Sequence, residues 1–259
     1  MPPDVRPPGG VQSIGRAFTL LEAVAANGNG MGLSELAASC DLPLTTIHRL
    51  VRTLVDLSYL RQEPSRQYAL GPRLLLLAES SSTMLDAIAA PYLRDLVESL
   101  GETANLAMLD GDQVAYVAQV PGRHSMRMFT EVGARVLPHG TAVGKALLAR
   151  VDANRVRALL SRTGMPRHTD HTITDPDMFV EQMHLTAERG YAMDEGEKEV
   201  GVRCVAVAVP HHGVQLALSV SGPATRMSDD LVARAVPSLS AAATALATTL
   251  TQTNPRGRQ

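Results

Sequence analysis

At 259 residues, the chain is long enough for two modest domains, each with a hydrophobic core of its own. Hydrophobic residues make up 45% of it and charged residues 19%, proportions that exclude wholesale disorder. A net charge of −2 gives no global attraction to phosphate, and an aromatic content of 3% without tryptophan argues against a protein that stacks the bases of single-stranded nucleic acid.

Cysteine usage and hydropathy predict a cytoplasmic protein. Cys40 and Cys204 are too few for a disulfide framework, which favours a reducing compartment. No apolar run approaches the about 20 residues of a membrane span, so no membrane segment is predicted. Residues 1–10 and 253–259 are predicted to be disordered tails.

Residues 11–71 predict three helices followed by a β-hairpin. Apolar residues spaced by three and four begin after Ser13, the predicted N-cap of the first helix, and stop at "NGNG". Ser34 is the predicted N-cap of a short second helix, and Pro43 suits the first position of a third. The strand-like runs "YLRQ" and "QYAL" then flank a turn at "EPSR". This order is typical of a helix-turn-helix domain with a wing.

The third predicted helix, "PLTTIHRLVRTL", has an apolar side and a polar side. The polar side carries hydrogen-bond donors and no carboxylate, so it suits the major groove of duplex DNA, with the basic hairpin beside the phosphate backbone. A merely solvated helix face is the alternative, but the short helix, the turn, the proline-started helix and the basic hairpin together favour DNA binding. The predicted contacts to double-stranded DNA are Ser34, Thr45, Thr46, His48, Arg49, Arg52, Arg61 and Arg66.

A linker helix is predicted at residues 72–83, and the serines at its end, residues 80–82, mark the predicted domain boundary. Residues 84–252 predict an α+β domain with a mostly antiparallel sheet flanked by helices. Its order is a helix, a hairpin around Asp110-Gly111, three helices, the paired strands "RCVAVAVP" and "VQLALSVSG", and an alanine-rich closing helix.

Motifs in both predicted domains resemble the IclR family of bacterial transcription regulators. "LPLTTIHRLVRTLVDLSYL" resembles the recognition helix of that family, and "QYALGPRLLLLA" resembles the end of its wing with its linker helix. "GARVLPHGTAVGKALLA", "GYAMDEGEKEVGVRCVAVAV" and "LALSVSGPATRMSDD" resemble its effector-domain motifs. The resemblance covers nearly the whole chain. It implies a winged helix-turn-helix domain joined to a GAF-like effector-binding domain, in homodimers that often pair into tetramers.

The same resemblance implies a set of effector-binding residues. They are Met128, Val136, Ala142, Val143, Asp194, Cys204, Ser219 and Ser221. Backbone N–H groups at the start of the helix with Ala142 and Val143 suit a carboxylate, and two serines two residues apart face the same side of a strand. Taken alone, Cys204 fits a buried small hydrophobic residue equally well. Relatives that regulate allantoin and glyoxylate use suggest a small carboxylate such as glyoxylate or allantoate.

Other chemistries find less support. "HGTAVGKA" is one residue short of a phosphate-binding loop, and Ala146 stands where that loop needs Ser or Thr for magnesium. His168 and His171 are a lone pair in a polar loop, and Cys204 with the histidines of "PHHG" gives no convincing ligand set. We therefore predict no catalytic residue, metal or cofactor. The predicted function is a ligand-released repressor, with an activator of the same family and a small-molecule hydrolase as alternatives.

Overall fold

A computed structural model describes residues 11–28, 30–125, 132–210 and 214–253, with the side chains of residues 79–83 and 253 excepted. These residues form two compact units that divide between Ser81 and Ser82. The predicted first tail, most of the second, and Met128, His211 and His212 lie outside the described residues.

Unit 1 contains three helices and one hairpin, in the order that the sequence predicts. The helices are α1 (Gln12–Asn27), α2 (Leu33–Cys40) and α3 (Leu44–Asp56), and the hairpin strands are β1 (Leu60–Gln62) and β2 (Tyr68–Leu70). Apolar residues of all three helices and of β1 meet in one core. Its fully buried members include Leu20, Leu36, Ile47 and Leu60. This core fixes α3 with its opposite side exposed to solvent.

The helix starts differ from the predicted ones. Helix α1 begins at Gln12, so Ser13 lies inside it and is not its N-cap. The N-cap of α2 is Gly32, whose N–H donates to Glu35 Oε2 over 2.7 Å, and Ser34 is the second residue of the helix. Because the Glu35 carboxylate reaches back to Gly32, the helix starts before the serine, whose side chain is left exposed. Pro43 is the N-cap of α3 rather than its first residue.

One long helix, α4 (Arg73–Leu100), replaces the predicted linker helix and separate following helix. Pro91 lies inside it, although proline removes an internal hydrogen bond and disfavours a helix interior. The helix continues because Ala89, Leu93 and Leu96 on either side of the proline are almost fully buried in the core of unit 2. Burial of this apolar stripe outweighs the local preference of the sequence.

Unit 2 is built on a six-stranded antiparallel sheet with the strand order β5-β4-β3-β8-β7-β6. The strands are β3 (Thr103–Asp110), β4 (Gln113–Val120), β5 (Arg135–Val136), β6 (Ala192–Glu195), β7 (Val202–Ala208) and β8 (Leu216–Pro223). A 3-10 turn (Pro138–Gly140) precedes α5 (Ala142–Leu148), which is followed by α6 (Ala153–Thr163), α7 (Pro176–Arg189) and α8 (Asp229–Thr253). The mixed α+β class and antiparallel sheet are confirmed. Thr253, assigned to the second tail, ends α8.

The two faces of the sheet have different coverings. Leu106, Val205 and Leu218 point to one face and join the residues of α4 and α8 in a large apolar core. Helix α8 is long and apolar enough to cross a membrane by length and composition, but its buried stripe belongs to this core. On the other face, small residues such as Ala107 and Ala206 pack against α5. Alternation along the strands therefore leaves a shallow, small-residue surface beneath α5.

Candidate functional site

In unit 1, α3 presents the predicted polar face to solvent. Ile47, Val51 and Leu54 are buried at three- and four-residue spacing, which turns the other side of the helix outwards. Of the predicted DNA-contacting residues on α3, Thr46 is half-buried, whereas Thr45, His48, Arg49 and Arg52 are exposed. No salt bridge among the described residues engages Arg49 or Arg52, so both guanidinium groups retain their donors.

The hairpin carries the two other predicted basic contacts. Its turn places Arg66 in the left-handed region, at φ 64°, with its N–H donating to the Glu63 carbonyl over 2.9 Å. Arg61 is exposed, and its Nη1 lies 2.6 Å from Glu63 Oε1. A phosphate would therefore compete with Glu63 for Arg61, whereas none of the described salt bridges engages Arg66. The exposed Ser34 lies on α2.

In unit 2, a row of polar side chains crosses five neighbouring strands on the face beneath α5. The strand register brings Gln119, Asn105 and Ser219 side by side, and likewise Ser221, Cys204 and Asp194. We call these six residues the polar stripe. All except Gln119 are buried. A row of polar groups on a sheet face that also carries small apolar residues such as Ala107 and Ala206 is a concentration of hydrogen-bonding capacity that packing alone does not require.

Hydrogen bonds join the first four members of the stripe. Gln119 Nε2 donates to Asn105 Oδ1 over 2.9 Å. Asn105 Nδ2 donates to Ser219 Oγ and to Ser221 Oγ, both over 3.3 Å. The Asn105 amide thus links β4 to β8 and uses both of its N–H groups.

A buried charged group borders the stripe at Asp194. Lys145 Nζ donates to Glu197 Oε1 and, over 2.8 Å, to the Met193 carbonyl. The Glu197 N–H donates to Asp194 Oδ1 over 2.7 Å. Burial raises the pKa of Asp194 to about 6, against the opposing effect of this N–H group. Lys145 thus pairs with Glu197 and also attracts the charged form of Asp194, whose raised pKa allows its charge to change near pH 6.

The start of α5 lies close to the stripe. Thr141 caps the helix by accepting from the Gly144 N–H over 3.1 Å. A Cβ atom at Gly144 would collide with the Pro138 backbone, so only glycine allows the 3-10 turn to pack on the helix. Ala142 and Val143 are buried in the same apolar cluster as Cys204, and the partly buried Val136 packs against it.

The described residues give little support to the other chemistries that the sequence offered. Lys145 Nζ donates hydrogen bonds to the Met193 carbonyl and to Glu197 Oε1. These bonds give the side chain a structural role rather than that of a phosphate ligand. Burial raises the pKa of the Cys204 thiol, so the thiol is not an activated nucleophile. The described residues contain no group of three metal-binding side chains. His168 stacks on buried His139, with the ring centroids 5.7 Å apart.

The structure brings together six of the eight predicted effector-site residues and adds others. Asp194, Cys204, Ser219 and Ser221 share one sheet face, with Ala142 and Val143 next to it. Val136 is at the edge of the cluster, and Met128 is outside the described residues. Sequence reasoning missed Asn105, Gln119, Lys145 and Glu197. Polar residues at alternate positions of otherwise apolar strands were the available signal, as in "TANLAML".

Comparisons with known proteins agree with both units. The family described as "IclR helix-turn-helix domain" matches residues 13–64, and "Bacterial transcriptional regulator IclR C-terminal" matches residues 78–248. The transcriptional repressor IclR of Escherichia coli is 36% identical over 231 residues, which cover 86% of this chain and 84% of that protein.

Solved structures extend the likeness to the fold. A putative transcriptional regulator from a Rhodococcus species has a TM-score of 0.64 at 29% identity, covering 94% of this chain and 100% of its own. An IclR homologue from Microbacterium hydrocarbonoxydans, complexed with 4-hydroxybenzoate, has a TM-score of 0.60 at 25% identity, covering 92% and 98%. The chain belongs to the IclR family of bacterial transcriptional regulators, which are DNA-binding proteins and not enzymes.

Proposed function

We propose that the chain represses a catabolic operon and is released from its operator by a small carboxylate such as glyoxylate or allantoate. The observation that carries the effector part is the polar stripe, which places hydroxyl and carboxyl groups together beneath α5. The family membership supports the DNA-binding part. Release requires that the effector bind the DNA-competent and DNA-incompetent states with different affinity.

The chemistry beside α5 supports a carboxylate ligand. Ser219 and Ser221 can donate hydroxyl protons, and the first turn of a helix has backbone N–H groups without an intrahelical acceptor. Protonated Asp194 adds a further donor. The 4-hydroxybenzoate bound to the Microbacterium homologue is also a small carboxylate. We propose that Val136, Ala142, Val143, Asp194, Cys204, Ser219 and Ser221 contact the ligand, together with Met128.

For operator recognition we propose base contacts by α3 and backbone contacts by the hairpin. Arg49 and Arg52 can each offer two parallel donors to guanine, and Thr45 can touch a thymine methyl group. Thr46 and His48 complete this face. Ser34, Arg61 and Arg66 are assigned to phosphates, which position the domain without reading sequence. A cytoplasmic location follows from DNA binding in a bacterium.

A homodimer, with pairing to a tetramer, is the proposed assembly. Unit 1 exposes large apolar side chains that a solvated monomer would bury: Phe18 is 60% exposed, Leu75 71% and Leu76 65%. Ile14 and Phe18 are four residues apart on α1 and so share one side of that helix, with the exposed Val11 at its N-cap. A second copy of the chain supplies a matching apolar surface by symmetry. We propose residues 11–71 as the DNA-binding domain, 72–83 as the linker and 84–252 as the effector domain.

A mobility-shift assay with the DNA upstream of the chain's own and adjacent genes tests the proposal at stated salt. We expect specific binding that glyoxylate or allantoate releases. Binding that a carboxylate strengthens, with increased transcription in vitro, would instead identify an activator. Specific DNA binding that no small carboxylate changes would overturn the effector assignment. It would still support a DNA-binding regulator.

A further inference from the structure

We propose that Asn105 and Gln119 are positioning residues that turn the hydroxyl protons of Ser219 and Ser221 towards the ligand, so that the site prefers a carboxylate to the matching amide. The inference rests on the proposed effector site. It concerns two side chains behind the residues assigned to ligand contact, and it assigns them an effect on selectivity.

The contacts of the Asn105 side-chain amide determine which of its two ends faces the serines. A primary amide has a donor end and an acceptor end, and its neighbours decide which end faces which group. Gln119 Nε2 can only donate, and it lies 2.9 Å from Asn105 Oδ1. With this contact in place, the Asn105 nitrogen lies on the side of β8, 3.3 Å from both serine oxygens.

The bonds from Asn105 restrict the directions in which the hydroxyl protons of Ser219 and Ser221 can point. A hydroxyl group has one proton and two lone pairs. Each serine already accepts one N–H of Asn105, so its own proton must point to another acceptor. Ser219 and Ser221 are 1% and 7% exposed, so bulk water is a poor competitor for those protons. Cys204 is one such acceptor, since the Ser219 hydroxyl donates towards its sulfur, and a ligand carboxylate would replace the sulfur as the acceptor of that proton.

The two serine hydroxyls, oriented in this way, favour a carboxylate over the matching amide. Two aligned O–H donors match a group that only accepts, and an ionised carboxylate is such a group. The amide of the same shape presents an N–H₂ end to one of the donors, which leaves that donor without a partner at a buried position. If the Asn105 amide were turned round, the serines would donate to it and would present lone pairs to the ligand. The preference would then be lost or reversed.

Nuclear magnetic resonance tests the direction without any ligand. In the full-length chain labelled with ¹⁵N-asparagine, we expect Ser219→Ala to shift one Asn105 side-chain amide proton and Ser221→Ala to shift the other, because each loses its acceptor. The Asn105→Leu variant identifies the resonances. If neither serine variant moves an Asn105 amide proton, the amide faces the other way and the proposal is wrong.

Calorimetry tests the selectivity, with pyruvate and pyruvamide as the probes. Wild type should prefer pyruvate, and Asn105→Leu should lower that preference about tenfold, since one charge-assisted hydrogen bond is worth about that factor. Gln119→Leu should also lower the preference for pyruvate, but by less. It replaces Asn105→Leu in this test if that variant folds poorly. Thr186→Val removes another buried hydroxyl, on α7, and should leave the preference unchanged.

Two failures are distinguishable. An equal loss of pyruvate and pyruvamide binding in Asn105→Leu would mean that Asn105 only supports the sheet, which overturns the inference. Absence of binding by both probes and by glyoxylate to the wild type would overturn the proposed effector instead. The amide resonances would then still decide the direction of the hydrogen bonds.

Discussion

At the scale of single residues, Asp194 controls the charge of the proposed ligand site. Its pKa of about 6 results from burial, which outweighs the opposing effects of the Glu197 and Lys198 N–H groups and of the Lys145 charge. The folded state holds the proton more tightly than an unfolded chain, in which the pKa is near 3.8. The stabilising effect of this proton is therefore complete below about pH 4 and is lost as the pH rises through 6.

The same sign applies to ligand binding. Neutral Asp194 donates to a carboxylate and the ionised form repels it, so carboxylate affinity should fall as the pH rises above 6, by at most about tenfold per pH unit. Asp194→Asn should flatten this dependence in calorimetric titrations between pH 5.5 and 8 at constant ionic strength. Asp230→Asn, at an exposed position of α8, is the control. A steep dependence that persists in Asp194→Asn would assign the titration to another group.

Arg66 combines a local strain with a proposed DNA contact. Its left-handed conformation, at φ 64°, costs a non-glycine residue about 1 kcal/mol. Arg66→Gly should therefore raise the free energy of unfolding by about that amount while it weakens DNA binding and reduces the slope of log affinity against log salt by about one. Urea denaturation and salt-dependent binding give the two numbers. Arg66→Lys, which keeps both charge and strain, should change neither much.

At the scale of elements, α3 is an amphipathic helix whose polar side has no partner within the described part of unit 1. Arg49→Ala should weaken specific operator binding by roughly 1 to 3 kcal/mol and relax the preference for one base pair. The measurement is binding to the operator and to single-base variants of it. Arg155→Ala, an exposed arginine of α6, should leave operator binding unchanged. Unchanged affinity in Arg49→Ala would remove this residue from the recognition surface.

Which elements could be predicted depended on the length and regularity of their patterns. Helix α3 and the paired strands β7 and β8 have sustained periodicity and were predicted correctly. Strand β5 has two residues and β6 four, and the acidic Asp194 and Glu195 made β6 resemble a solvated loop. The prediction of two helices where α4 is continuous was wrong, because Pro91 and the serines before it disfavour a helix locally. Burial of the apolar residues of α4 against the sheet keeps the helix continuous.

At the scale of the whole molecule, the proposed dimer is the condition for reading a two-fold symmetric operator. Phe18→Ser combined with Leu76→Ser should convert the chain to monomers and abolish high-affinity operator binding, because the exposed apolar surface of unit 1 is lost. Light scattering coupled to size-exclusion chromatography reports the mass. Met178→Ser, which changes a 63% exposed residue of α7, is the matched control. A dimer that survives the double substitution would place the interface elsewhere.

The sequence by itself determined the two-part organisation, the amphipathic α3, the hairpin and the antiparallel sheet, because periodicity and turn residues act over a few neighbouring positions. The eight proposed ligand contacts come from resemblance to the family and remain predictions. Only the tertiary structure decided that Asn105, which Gln119 contacts, joins Ser219 and Ser221 over more than 100 residues of chain, and that Lys145 and Glu197 form a buried pair near Asp194. The physical reason is strand register and packing, which place side chains together irrespective of their distance in sequence.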